Sequence, residues 1–246
     1  MKNATQIYGV RAVIEAIHAQ KPIDKVFIQR GLKGDLSKEL EGLIRKNGIN
    51  VSYVPFEKLN RLTKDNHQGV VANISPISFQ ELEELVEAAM EQKEKPLFLL
   101  LDQLSDVRNF GAIIRTAECT GVDGIIIQKK GAAPVTADTI KTSAGAAFLV
   151  PMAKVDHIKD AIFYLQASGV TVIAASEKTE QLLYDVSLKD ACAIVMGSED
   201  KGISPSVLKV VDHTAKLPLL GEIGSLNVSV ACAVFLYEAV RQRGSQ

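Results

Sequence analysis

Cysteine, histidine and long apolar runs are scarce in this sequence, and each scarcity excludes a class of protein. The three cysteines, Cys119, Cys192 and Cys232, are widely spaced in apolar surroundings. They predict a cytoplasmic protein with reduced core thiols rather than a disulfide framework or a zinc site. The four histidines show no metal-ligand spacing, so no metal is expected. Because no run of about 18 apolar residues occurs, we expect no membrane span, and the N-terminus lacks the apolar stretch of a signal peptide.

Charge is nearly balanced overall but unevenly distributed along the chain. The net charge of −1 excludes a strongly basic nucleic-acid binder, although it permits a local basic patch. Residues 1–75 carry 12 lysines and arginines against 7 acidic residues, whereas residues 76–246 carry 16 against 22. This segregation favours contact between the N-terminal part and a polyanion. The alternative is a chance imbalance on a solvated surface.

Sequence patterns divide the chain into three parts. Residues 1–75 predict a small α/β domain, because short apolar strands alternate with amphipathic helices, the first of which includes Ile7 to Ile17. Residues 76–96 predict a charged connector helix that ends at Pro96. Residues 97–246 predict a second α/β domain, whose strands LFLLL, GIIIQ, TVIAA and CAIVM are almost continuously apolar. Strands of this kind are typical of a parallel sheet covered on both faces by helices.

Three loops in the second domain are rich in glycine, serine and asparagine. They contain the segments NFGAIIRTAE, IVMGSEDKGIS and LPLLGEIGSLNVSVA. Open parallel sheets bind ligands at the carboxyl ends of their strands, so these loops predict a binding site there. A Walker phosphate loop is excluded because Ile203 stands where its lysine is needed, and neither a dinucleotide glycine motif nor a hydrolase elbow occurs. Glycines would instead let the main chain approach a small organic ligand closely.

These three segments, in this order, resemble the three motifs of the SpoU–TrmH family of RNA ribose 2′-O-methyltransferases, within the SPOUT superfamily. The N-terminal segments YGVRAVIEAI and NHQGVVA resemble the substrate-binding domain of members that methylate a guanosine in 23S ribosomal RNA. The resemblance implies a C-terminal domain with a trefoil knot, S-adenosylmethionine as methyl donor, and a homodimer with its sites near the subunit interface. It leaves tRNA open as the alternative substrate.

Three candidate catalytic residues follow from the resemblance to the first two motifs. Arg115 would be the catalytic arginine, since its planar fork suits a phosphate beside a reacting ribose; the alternative is a side chain that extends into solvent. Asn109 would position the reacting groups, and it could also cap its helix. Glu199 would orient the arginine or the substrate, unless it is an ordinary loop charge.

The third motif supplies further candidates by resemblance. Ser225 and Asn227 would line the active site, although both residue types also occur at helix starts. The main chain of Gly197, Leu217 and Leu226 would hold the methyl donor; the two leucines could otherwise be plain core residues.

In the N-terminal domain, Arg11, His67 and Gln68 are the predicted RNA contacts. The segment NHQG that contains the last two has an equally plain interpretation, which is a turn before the strand GVVANI.

The sequence departs from the family pattern at Asp200, where a second glycine is usual, and at Val107, where a proline is usual. Neither change removes a proposed catalytic group, so an active enzyme is expected. Two other functions stay open: a catalytically silent RNA-binding module, and an α/β enzyme with an unrelated nucleotide ligand.

Overall fold

The computed structural model describes residues 6–244, which divide into two compact units between Ser78 and Phe79. The helices are α1 Val10–His18, α2 Asp35–Lys46, α3 Phe56–Leu62, α4 Leu82–Gln92, α5 Val107–Cys119, α6 Ala137–Thr142, α7 Ile158–Ala167, α8 Pro205–Leu208 and α9 Val228–Gly244. The strands are β1 Gln6–Tyr8, β2 Ile23–Gln29, β3 Val51–Val54, β4 Val70–Ile74, β5 Leu97–Leu101, β6 Gly124–Gln128, β7 Met152–Val155, β8 Thr171–Ala175, β9 Cys192–Met196 and β10 His213–Ala215.

The first unit is a four-stranded sheet in the order β1-β4-β2-β3. Its main core lies where α1 and α2 cover one face of the sheet, because both helices place aliphatic residues at helical spacing toward the strands. A smaller cluster under α3 covers part of the other face. The predicted extension of the first helix back to Ile7 is wrong. Ile7 lies in β1 and pairs with Ala72 of β4. Gly9 separates that strand from α1, and its φ of 92° favours glycine.

The second unit is a six-stranded parallel sheet in the order β10-β8-β9-β5-β6-β7. The prediction of a mixed α/β chain with a parallel C-terminal sheet is therefore confirmed. Every residue of β5 and β9 is buried, because helices cover both faces of the sheet. The strands β7 and β10 were not predicted, since MAKV and HTA are short and interrupted by polar residues.

The segment predicted as a connector has a different role over most of its length. Helix α4 packs on β6 and β7 of the second unit, and Leu85 contacts Gly124 so closely that a side chain there would collide with it. The amide of Gln80 also donates to the carbonyl of Met152 at 2.9 Å. The segment from Phe79 onward is therefore part of the second unit, held by burial of its apolar face.

The chain's last helix, α9, packs against α5 and β9. It begins directly after the third predicted loop and so places that loop beside the end of β9. The trefoil knot implied by the resemblance stays a prediction. In the part of the chain that the structure describes, no helix is both long and apolar enough to cross a membrane.

Candidate active site

Four strands end side by side at one edge of the parallel sheet. In the strand register, Leu101 of β5 is opposite Met196 of β9, and Ala175 of β8 is opposite Ala215 of β10. Since parallel strands all run the same way, the loops that follow them emerge together. This edge is where the predicted site residues converge.

A cavity of about 560 Å³ lies at this edge, a size that suits a small organic ligand. Its wall consists of the loops after β8, β9 and β10 together with the first turns of α9. Six predicted residues line it: Gly197, Glu199, Leu217, Ser225, Leu226 and Asn227, the last of which directly precedes α9. These residues therefore lie together at the cavity, and their roles stay predictions.

The loop after β9 is compact because of two glycines. A side chain on Gly197 would overlap the main chain of Gly202 and Ile203, so close backbone packing requires glycine there. Ser198 and Gly202 exchange main-chain hydrogen bonds of 3.2 and 2.9 Å. The positive φ in this loop, 66°, belongs to Gly202. Asp200 therefore replaces the family's second glycine without backbone strain.

A chain of polar side chains connects three separate segments at the rim of the cavity. The side-chain amide of Asn109 donates to the carboxylate of Glu199 in a short hydrogen bond. The amide of Asn227 donates to the side-chain oxygen of Asn109 at 3.1 Å. The side-chain oxygen of Asn227 in turn accepts from the amide and hydroxyl of Ser229 at 3.0 and 2.6 Å. This chain fixes the orientation of both asparagines.

Asn109 does not cap its helix as the sequence allowed. Asp106 is the capping residue, since its carboxylate accepts from the Asn109 amide at 2.7 Å. The helix begins at Val107, the position at which the family usually has proline, and valine there preserves the helix start. The side chain of Asn109 is consequently available for Glu199 and Asn227.

The structure does not bring Arg115 to the cavity. Its side chain is exposed, it is not part of the cavity wall, and among the described residues it has no hydrogen bond or ion pair. Six residues after Asn109, it is turned by about 120° around α5 at about 100° per residue. Within one subunit, therefore, the Arg115 guanidinium is separated from the hydrogen-bonded side chains of Glu199, Asn109 and Asn227.

Two groups of cavity residues escaped the sequence analysis. Ser176, Glu177 and Lys178 follow β8 and line the cavity, and Ala231 and Phe235 line it from α9. The strand TVIAA was predicted, but nothing in its sequence shows that β8 lies between β9 and β10. The rule that ligands bind at strand carboxyl ends would have found this loop if the strand order had been known.

In the first unit, His67 is buried, and the structure contradicts its prediction as an RNA contact. Its Nδ1 accepts from the Gly69 amide at 3.0 Å, so the proton lies on Nε2, which donates to Asn60 Oδ1 at 3.0 Å. Its ring also packs against Phe56, with centroids 4.9 Å apart. Both ring nitrogens are thus used within the unit, as expected for a structural residue.

The remaining predicted RNA contacts, Arg11 and Gln68, are exposed. Gln68 and Gly69 have φ values of 48° and 81°, and the Val70 amide donates to the His67 carbonyl at 2.8 Å. This is a tight turn with two left-handed residues. The turn interpretation of NHQG is therefore correct, and it leaves the Gln68 side chain in solvent at a position of backbone strain.

Among residues 6–244, no three His, Cys, Asp or Glu side chains lie close enough together to hold a metal ion. The cysteines differ in exposure: Cys119 is exposed, whereas Cys192 and Cys232 are buried. Burial raises the pKa of the Cys232 thiol to about 12, so this thiol stays protonated at neutral pH.

A parallel α/β unit with polar loops around a ligand-sized cavity at its strand ends defines a class of enzyme that binds an organic ligand at a sheet edge. Comparison with known proteins specifies the class. Residues 96–237 match the model of the SpoU rRNA Methylase family. Residues 6–80 match a family described as RNA 2′-O ribose methyltransferase substrate binding.

Individual proteins agree with this assignment. YacO of Bacillus subtilis, assigned by name to the TrmH family of tRNA/rRNA methyltransferases, is 35% identical over 96% of this chain and 95% of its own. The AdoMet-bound rRNA methyltransferase from Sinorhizobium meliloti has a TM-score of 0.62 at 25% identity, covering 96% of this chain and 87% of its own. The TrmH/SpoU tRNA modifying enzyme of A. aeolicus has a TM-score of 0.57 at 30% identity, covering 67% and 83%.

The chain belongs to the SpoU methylase family. It is an RNA ribose methyltransferase with an N-terminal substrate-binding domain.

Proposed function

We propose that this protein transfers a methyl group from S-adenosylmethionine to the ribose 2′-OH of a guanosine in 23S ribosomal RNA. The observation that carries the proposal is the hydrogen-bonded chain from Glu199 through Asn109 to Asn227 at the rim of the cavity. Polar groups in a fixed orientation beside a ligand cavity are what a reacting hydroxyl requires, because positioning supplies a large part of the rate.

The cavity fits the methyl donor in size and in chemistry. Its volume of about 560 Å³ suits a nucleoside-sized ligand, and its walls combine loop main chain with the apolar side chains of Leu217, Leu226 and Phe235. The loop main chain at Gly197 would hold the polar groups of the donor, and the leucines would cover its apolar surface. When bound, S-adenosylmethionine supplies an electrophilic methyl carbon on a sulfonium.

The protein's own residues would prepare the hydroxyl. Glu199 and Asn227 orient the ribose at the cavity rim, and Ser225 contacts it from the third loop. Arg115 lies apart from this cavity within one subunit, so it would hold the ribose and its adjacent phosphate from the second subunit of the proposed homodimer, while the phosphate or a water molecule takes the 2′-OH proton.

RNA recognition is assigned to the first unit, with Arg11 and Gln68 as contacts. Arg11 is exposed near the start of α1, where a cation can reach a phosphate. The surplus of basic residues in the first 75 residues supports the same assignment.

A homodimer is proposed because α9 presents an apolar face that its own chain leaves exposed. Val230, Tyr237 and Val240 on this helix are 50%, 54% and 39% exposed, and Tyr184 beside them is 54% exposed. A second groove lies among Tyr184, Ala233, Val234 and Tyr237. Apolar patches of this kind mark subunit interfaces. Since Asn227 directly precedes the same helix, the interface would lie near the active site, as the resemblance implies.

A tRNA is the second candidate substrate, on the likeness to the A. aeolicus tRNA modifying enzyme. That enzyme covers 67% of this chain, whereas the S. meliloti rRNA methyltransferase covers 96%, which favours ribosomal RNA. We also place the enzyme in the cytoplasm, because Cys192 and Cys232 are free thiols.

The test has two parts. Calorimetric titration of the full chain with S-adenosylmethionine and, separately, ATP should give heat with S-adenosylmethionine alone; heat with ATP alone would indicate an unrelated nucleotide ligand. Methylation of unmodified 23S rRNA and of bulk tRNA with a labelled donor should then label 23S rRNA. Donor binding without labelling of either RNA would indicate the silent RNA-binding module, and labelling of tRNA alone would select the second substrate.

A further inference from the structure

We infer that Asp102 is a positioning residue that holds the loop carrying Glu199 in its working conformation. The inference rests on the proposed function, since it concerns how Glu199 reaches the cavity rim. Asp102 is the first residue after β5, it is 1% exposed, and it does not line the cavity. It lies outside the three motif segments quoted above, and the proposed chemistry does not use it.

One residue, Asp102, binds both ends of the loop that follows β9. Its amide donates to the carbonyl of Met196, the last residue of β9, at 2.8 Å. Its carboxylate oxygen Oδ2 accepts from the amide of Ser204, the residue before α8, at 2.7 Å. Residues 197–203 between these two points form the loop with Glu199 at its tip, so Asp102 sets the width of the loop at its neck.

The tip of the same loop is bound from the same segment of the chain. Asn109, seven residues after Asp102, hydrogen-bonds to Glu199. The segment that links β5 to α5 therefore holds the loop twice, at the neck through Asp102 and at the tip through Asn109. Because the Ser198 and Gly202 main chains are also paired, a change at the neck is transmitted to the tip through a short, closed loop.

The hydrogen bonding of the carboxylate supports a positioning role. Among the described residues, the second carboxylate oxygen of Asp102, Oδ1, is buried without a hydrogen-bond partner. A buried polar atom without a partner costs free energy, so an apolar residue would serve packing alone better. What an apolar residue would lose is the charge-assisted bond to the Ser204 amide.

A proline at position 204 removes the amide that donates to Asp102 and leaves the carboxylate unchanged. Ser204→Pro deletes the amide hydrogen, and its φ of −61° is the value that proline requires. Ser204→Ala is the matched control, because it keeps the amide and loses a hydroxyl whose only contact among the described residues is Ser206 Oγ at 3.5 Å. Asp102→Ala removes the acceptor, and Asp102→Asn keeps an oxygen acceptor in place.

The first measurement does not depend on activity. Amide hydrogen exchange at Gly202 should accelerate at least about tenfold in Ser204→Pro and Asp102→Ala, less in Asp102→Asn, and not in Ser204→Ala, while β9 amides stay protected. Unchanged exchange at Gly202 in both Ser204→Pro and Asp102→Ala would overturn the inference, whatever the enzyme does.

The second measurement connects the loop with the reaction. Ser204→Pro should lower kcat about tenfold, with a smaller change in KM for RNA, and this loss should largely disappear in a Glu199→Ala background, because both changes act through one loop. Fully additive losses in the double variant would contradict the inference. A wild-type protein that neither binds the donor nor methylates RNA would instead refute the proposed function and leave the exchange result interpretable.

Discussion

Each of the two units contains a cluster of polar side chains that includes predicted site residues, and the two clusters differ in a way that separates structure from function. In the first unit, His67 is buried and both ring nitrogens hydrogen-bond to Asn60 and Gly69. In the second unit, Glu199 and Asn227 are exposed at the cavity rim and share Asn109 between them. The first cluster is closed, in the sense that both ring nitrogens of His67 are hydrogen-bonded within the unit, whereas the second is open because the Glu199 carboxylate is still accessible to a ligand.

A polar residue that a motif singles out can serve either the fold or the function. Both clusters contain residues that the sequence marks as functional, and residue type alone does not distinguish them. A buried group with all its hydrogen bonds made stabilises the fold. An exposed group whose orientation is fixed by neighbours is prepared for a partner that arrives later. Substitutions in and around the two clusters test this distinction.

Arg115 belongs to neither cluster, and its substitution should have the largest effect on activity. Arg115→Ala should lower single-turnover methylation of 23S rRNA about 10²- to 10³-fold, while donor affinity and thermal stability stay near wild type, because the side chain is exposed and outside the cavity wall.

Arg115→Lys is the informative control for this effect. A lysine keeps the charge but loses the planar fork, so its rate should also fall severely. A near-wild-type rate for the lysine variant would remove Arg115 from the mechanism and return attention to Glu199, Ser225 and Asn227.

Asn227 tests the open cluster itself. In Asn227→Asp the oxygen that accepts from Ser229 is retained, but the donor to Asn109 is lost. We expect kcat to fall about 10- to 100-fold with little change in the thermal midpoint, since one orienting hydrogen bond is worth about 1–3 kcal/mol. Ser229→Ala, which removes only the hydroxyl contact, should retain most of the activity. Equal losses in the two variants would indicate that the cluster serves helix stability alone.

His67 tests the closed cluster. His67→Ala removes the ring contact with Phe56 and leaves Asn60 Oδ1 and the Gly69 amide without their partner. This should destabilise the first unit by about 3 kcal/mol in urea unfolding, and RNA affinity should be almost normal under conditions where the unit is folded. Lost RNA affinity in a fully folded variant would restore His67 as a contact.

Gln68 separates a strained RNA contact from a plain turn residue. Because its φ is 48°, Gln68→Gly should stabilise the first unit slightly, by up to about 1 kcal/mol, and should weaken RNA binding if the side chain is a contact. Gln68→Ala, which keeps the strain, should weaken RNA binding equally without the gain in stability. Filter binding and thermal unfolding of both variants measure the two effects, and unchanged binding in both would remove Gln68 as a contact.

The smallest effect is expected at Arg11. Arg11→Ala should weaken RNA binding about equally across RNA sequences and reduce the slope of log affinity against log salt by about 1, as for a single phosphate contact. Filter binding at several salt concentrations measures the slope. An unchanged slope would exclude Arg11 as a phosphate contact.

Sequence alone was enough to predict the apolar strands, the two α/β regions and the order of the three motif segments. These features depend on residues that are neighbours along the chain. LFLLL and CAIVM are buried strands because every residue in them is apolar. Gly197 indicates close approach of the backbone within its own loop. The family resemblance likewise depends on contiguous segments.

Which segments meet is apparent only from the tertiary structure. The strand order that places β8 between β9 and β10 brings Glu177 and Lys178 to the cavity, and the contact between Asn109 and Asn227 spans 118 positions. Burial likewise assigned His67 to the fold, through Asn60 and Phe56. The physical reason is that strand order and burial arise from packing between distant segments, whereas propensity and periodicity report only local preferences.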